Sequence, residues 1–108
     1  MPDIIHVRVS EDGDIYCKDD PHRMKLKHHP DKKLAWHSNK IEFVIAFKNG
    51  SPFDSGEIEL ISTNKMTDPK VVKAPPTEDE DLYYVYEVSK QSSAGQPLKA
   101  DPGLIIQA

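Results

Sequence analysis

Apolar and polar residues alternate with a period of two in short runs along the chain, each run closed by turn-forming residues. This pattern predicts half-buried antiparallel strands, and helical periodicity is hard to find. Ile5, Val7 and Val9 alternate with His6, Arg8 and Ser10, and Asp12-Gly13-Asp14 turns the chain before Ile15 and Cys17. Met24, Leu26 and His28 fall on one face of the next run and Lys25, Lys27 and His29 on the other, until Pro30-Asp31 ends it. Leu34 and Trp36 resume the inward set. The clearest alternation is Ile41, Phe43, Ile45 and Phe47 against Glu42, Val44, Ala46 and Lys48, which predicts a central strand. Asn49-Gly50-Ser51-Pro52 is a turn by composition, because Asn and Gly tolerate positive φ and Pro cannot donate to a ladder. Glu57 to Ile61 supplies a further strand.

Between Ser62 and Glu80 the pattern lapses. Asp68-Pro69 and Pro75-Pro76 exclude a long element there, leaving room for an edge strand at Val71-Val72 and for a short helix. Leu82, Tyr84, Tyr86 and Val88 then alternate with Tyr83, Val85, Glu87 and Ser89, and Leu104-Ile105-Ile106 closes the set. Seven or eight short strands predict an all-β sandwich or barrel. Trp36, Tyr84 and Tyr86 are expected in its core and Tyr83 on its surface beside Val85 and Ile105. With 108 residues, no internal repeat and no low-complexity tract, the expectation is one domain over 1–108.

Charge changes the picture by its distribution. The net charge is −4, yet Lys18 to Lys40 holds seven of the fourteen Lys and Arg and four of the five His, while Asp54 to Glu87 holds nine acids and three lysines. Such a dipolar surface steers charged partners. The basic stretch lacks interleaved aromatics and the total is acidic, which argues against nucleic acid and for a solvated face. No window approaches the roughly 18 apolar residues of a membrane span. Met1-Pro2-Asp3 has neither the basic start nor the apolar run of a secretory signal, so a cytoplasmic chain is expected, or an exported one if residues precede it. The single Cys17 forms no internal disulfide.

The last quarter, from Tyr84-Val85-Tyr86-Glu87-Val88 to Asp101-Pro102-Gly103-Leu104-Ile105-Ile106, resembles the cupredoxins, the blue-copper proteins. In that family the penultimate strand ends in Tyr-x-Tyr-x-Cys-x-x-His and a Met usually follows. Phe43-Val44-Ile45-Ala46-Phe47-Lys48-Asn49 is similar to the family's long strand and Asn-containing turn, which puts Phe53 of Ser51-Pro52-Phe53 where the first copper-binding His stands. The resemblance implies a Greek-key β-sandwich from about Leu34 onward. It also implies a lost copper site: Phe53, Val88 and Gln91 stand at the ligand positions, and the axial Met has no counterpart among Ser92, Ser93 and Gln96. Phe, Val and an amide cannot replace thiolate, imidazole and thioether. Tyr-x-Tyr-x-Val also occurs in immunoglobulin-like sandwiches, which are the alternative fold.

Candidate chemistry is sparse. His22, His28, His29 and His37, near Cys17, Asp19 and Asp20, offer imidazoles for zinc, copper or nickel, but adjacent His28 and His29 point to opposite faces of a strand and no closely spaced ligand pair occurs. Cys17 has no base beside it in the sequence. The run Glu78-Asp79-Glu80-Asp81 lacks separated carboxylates in differing environments and reads as a solvated loop. Neither a nucleophile elbow nor a phosphate-cradling loop is present. The expectation is a non-enzymatic binding or interaction module without a cofactor. A binding surface is expected among Phe53, Tyr83, Val85, Val88 and Gln91, the alternative for Phe53 being that it plugs the end of the core. The partner would be a protein or small ligand, or a second copy docked through an exposed sheet face. The rival expectation is a metal-binding or electron-transfer protein using the histidine-rich segment.

Overall fold

A computed structural model describes residues 3–26, 32–77, 79–90 and 99–107, and among them every regular element is a strand. The strands are β1 (Asp3–Val9), β2 (Ile15–Cys17), β3 (His22–Lys25), β4 (Lys33–Ser38), β5 (Phe43–Phe47), β6 (Glu59–Ile61), β7 (Lys70–Val71), β8 (Leu82–Lys90), β9 (Lys99–Ala100) and β10 (Gly103–Gln107). They form two sheets. The first has the order β2-β1-β4-β7, the second β3-β10-β8-β5-β6, with β9 pairing on β8.

The inward side chains of both sheets meet in one apolar cluster: Ile5, Val7, Leu34 and Trp36 come from the first sheet, and Met24, Phe43, Ile45, Tyr86, Val88, Leu104 and Ile106 from the second. These are the residues that the period-two pattern sends inward. At the centre Trp36 packs edge-on against Tyr86, Phe47 and Phe53, with ring centroids 5.4, 5.8 and 6.2 Å apart. Such pairs contribute roughly 0.5–1.5 kcal/mol each beyond the area they bury. Buried hydroxyls serve the backbone where the ladders end. Thr67 Oγ1 accepts from Trp36 N–H at 2.9 Å, and Ser62 Oγ accepts from Phe43 N–H at 2.8 Å.

The pairing is mixed where the alternation suggested antiparallel strands throughout. β1 runs parallel to β4 and β10 parallel to β3, while the other pairs are antiparallel. Alternation fixes which way a side chain faces and says nothing of strand direction. The connection from β1 to β4 passes through two other strands and exceeds the dozen residues that a parallel crossover needs. β5 is flanked by β8 and β6, so it is interior as expected, but the longest strand, β8, occupies the middle of the second sheet. Val71 does lie in an edge strand, β7. No helix occurs among the described residues of 62–80.

Thr63 and Met66 exchange N–H to C=O bonds of 2.8 and 3.2 Å around Asn64 and Lys65, whose φ values of 54° and 64° are both left-handed. This two-residue turn matches the right-handed twist of the strands it joins. It lies against the end of β4, where Ser38 N–H donates to Lys65 C=O at 2.9 Å.

Candidate functional site

Two outward faces carry side chains that the core does not use. On the second sheet, register places Arg23, Ile105 and Tyr83 side by side across β3, β10 and β8, with Gly103 beside Val85 in the next row. Further along come Glu87, Ala46 and Glu59, then Ser89, Val44 and Ile61. Tyr83 is 55% exposed and Ile61 59%, so an apolar strip crosses this face. The Tyr83 ring lies across Gly103: a Cβ there would stand 3.1 Å from the Tyr83 hydroxyl oxygen and 3.2 Å from Pro21 Cβ. Glycine at 103 therefore lets the ring lie flat on the sheet.

Asn49 fixes the backbone under this ring. Its Nδ2 donates to Tyr83 C=O at 2.9 Å and its Oδ1 accepts from Val85 N–H at 2.8 Å, so the amide extends the β5 ladder by one residue. Lys48 bonds Asp101 at 2.8 Å and lies 3.7 Å from Glu87. Its ammonium is held above the usual lysine range chiefly by the Asp101 hydrogen bond. The charges at the middle of the strip are thus paired within the chain.

The residues expected to make a binding surface divide. Tyr83 is exposed and Val85 half-buried, whereas Phe53 and Val88 are fully buried and offer no surface, which corrects that part of the expectation. Phe53 pairs with Val72 beside β7 and its ring packs on Trp36 and Phe47. Val88 pairs with Ile45 in the second sheet. Apolar side chains of this size enter the core wherever backbone geometry allows, which is why the aromatic became packing. Gln91 lies outside the described residues.

The histidines do not assemble. His22, on β3, lies with Nε2 3.4 Å from Asp3 and Nδ1 4.0 Å from Asp19, and Lys32 approaches the other Asp3 oxygen at 3.1 Å. His37 stands on β4 in the other sheet. His28 and His29 lie outside the described residues. Among the described residues no group of three His, Cys, Asp or Glu could hold a metal ion.

Cys17 is buried, accepts a hydrogen bond from Tyr86 Oη at 3.6 Å, and has its thiol pushed up to about 11, mainly by burial. Burial likewise drives the Tyr86 phenol far above its ordinary range. A protonated, enclosed thiol is a poor nucleophile.

The first sheet bears a shallow hollow of about 120 Å³, lined by His6, Val7, Arg8, Val9, Tyr16, His37, Asn39 and Lys40. It forms because parallel pairing sets His6 beside His37 and antiparallel pairing sets Arg8 beside Tyr16. The two imidazoles meet edge to face, ring centroids 6.3 Å apart. Lys18 N–H donates to His6 C=O at 3.0 Å, which continues the β1–β2 pairing by one residue. Sequence reasoning assigns His6 and Arg8 outward positions correctly, yet it cannot bring His37 to them across thirty intervening residues. The signal available was that His6 and Arg8, the last two outward positions of β1, are basic rather than acidic.

Among the described residues no helix is long and apolar enough to cross a membrane. Comparison with protein-family models, curated proteins and solved structures returns no match.

Proposed function

We propose that the chain is a non-enzymatic interaction module on a copper-free, cupredoxin-like Greek-key scaffold, and that its occupant is a second copy of itself docked on the outer face of the second sheet. The scaffold reading draws support from two sheets sharing one core and from the apolar side chains at positions 53 and 88.

The observation that carries the docking reading is the layout of that face. One edge is basic, with exposed Arg23 and Lys25 on β3; the centre is apolar, with Tyr83, Val85 and Ile105; the far edge carries exposed Glu59 and Ile61 on β6. None of Arg23, Lys25 and Glu59 makes an ion pair among the described residues. A two-fold axis along the strands lays the basic edge of one copy over the acidic edge of the other, an isologous contact with complementary ends. Edge pairing is the weaker route, since the edge strands β2, β7, β3 and β6 have only 3, 2, 4 and 3 residues. An exposed tyrosine on a rigid strand is the residue type that interfaces favour.

Sedimentation equilibrium over increasing concentration tests this. The expected result is reversible dimerisation weakened at least tenfold by Tyr83→Glu, with the melting temperature of the variant little changed. A wild-type chain that stays monomeric up to about 1 mM, a limit of roughly 4 kcal/mol, overturns it.

A further inference from the structure

The structure assigns a second site: we infer that the hollow on the first sheet binds a small oxyanion of the phosphate class, held between Arg8, Lys40 and the His6–His37 pair.

The hollow is distinguished first by what it lacks. The outward side chains of its lining residues are cations or neutral groups, namely Arg8, Lys40, His6, His37, Tyr16 and Asn39, while Val7 and Val9 turn their side chains to the inner face. No carboxylate is among them, although the chain has eighteen acids against fourteen Lys and Arg. Among the described residues Lys32 pairs with Asp3, Lys48 with Asp101 and Glu87, and Lys70 with Glu57, whereas the hollow gathers its cations with no acid beside them. Arg8 and Lys40 make no ion pair among the described residues. Gathering unpaired cations in a concavity raises the local potential, which favours an anion entering it and disfavours a metal ion reaching the imidazoles.

Placement comes from the ladders. β1 and β4 are hydrogen-bonded neighbours in parallel register, and Arg8 stands two residues beyond His6 on the same face. Arg8 is therefore fixed one row from the imidazole pair, with Tyr16 opposite it on β2. Asn39 and Lys40 close the hollow from the turn after β4, where Ser38 Oγ accepts from the N–H groups of Lys40 and Ile41 at 3.2 and 3.3 Å. A guanidinium offers a fork of donors to an oxyanion, and the lysine adds a mobile point charge. The volume of about 120 Å³ is well below the several hundred that a whole cofactor occupies, so the hollow takes one charged group. That group is either a free ion or the end of a larger ester.

Titrations of isotope-labelled protein followed by amide chemical shifts test the inference, using inorganic phosphate in one arm and glycerol 3-phosphate in the other. The expected result is saturable shifts at His6, Arg8, Tyr16, His37, Asn39 and Lys40. Arg8→Gln should weaken binding at least fivefold, and Lys33→Gln, which removes an equal charge from the same sheet outside the hollow, less than twofold. Equal affinity for the two probes assigns the site to a free ion, and tighter binding of the ester assigns it to a phosphorylated molecule. Shifts that never saturate, or equal losses in Arg8→Gln and Lys33→Gln, reduce the effect to diffuse charge screening and overturn the site.

Discussion

The outer faces of the two sheets are built from the same alternating strands over the same core, yet they differ in how they treat the charges at their centres. The second sheet neutralises its central charges internally, with Lys48 held between Asp101 and Glu87, and leaves Tyr83 and Ile61 for contact. The first sheet leaves Arg8 and Lys40 without an ion pair among the described residues, beside two imidazoles and the exposed Tyr16. The lesson is that a strand pattern specifies a face, and what the face does depends on whether its charges are satisfied before a partner arrives. One surface offers apolar area and the other unpaired cations.

Three measurements press on that contrast. The largest effect acts on both faces together, through the core they share. The folded Cys17 thiol is pushed up to about 11 from an ordinary value of 9.0, so the folded chain keeps a proton that the unfolded chain loses in between. Stability contributed this way is complete below pH 9 and is lost as pH rises towards 11, amounting to about 2–3 kcal/mol. Urea unfolding across that range should show the decline as a single transition, and Cys17→Ala should flatten its early part, before Tyr86 adds to it. Two separate transitions would mean that the faces belong to independent units and that the comparison joins unlike things.

A middle-sized effect separates the faces. Raising salt from roughly 50 to roughly 500 mM should weaken phosphate binding severalfold, because exposed charges are screened beyond a Debye length that shrinks with ionic strength. The same change should move dimerisation less than twofold, its centre being apolar. If both respond alike, the dimer contact is electrostatic and the apolar strip is not its source.

The smallest expected effect is none. Copper(II) or zinc(II) added stepwise should leave the melting temperature in place, since a metal that binds only the folded chain must raise it. Saturable one-to-one stabilisation would favour the rival metal-binding reading, and its loss in His37→Ala but not in His22→Ala would turn the hollow from an anion site into a metal site.

Much of the fold was legible. Phe43, Ile45 and Phe47 on one strand, and Tyr84, Tyr86 and Val88 on another, declare their inward face because a side chain on the wrong side of a strand would expose the whole set to water. Strand partners were not legible, because nothing in Ile5-His6-Val7-Arg8 names Trp36-His37 as its neighbour. That is why the hollow, which exists only through the β1–β4 pairing, escaped, whereas the core-plug alternative for Phe53 could be read from the chain. Tyr83 was legible as exposed, and its seat on Gly103 was not, since the two meet only across the β8–β10 ladder.

Trp36 gives the chain a built-in optical probe. It is the single tryptophan, it is fully buried in the core, and Tyr86 stands near enough to pass excitation energy to it. Its emission should therefore be blue in the native chain and shift red when water reaches the ring. Neither outer face contains a tryptophan, so fluorescence reports folding while staying blind to whatever docks on either surface.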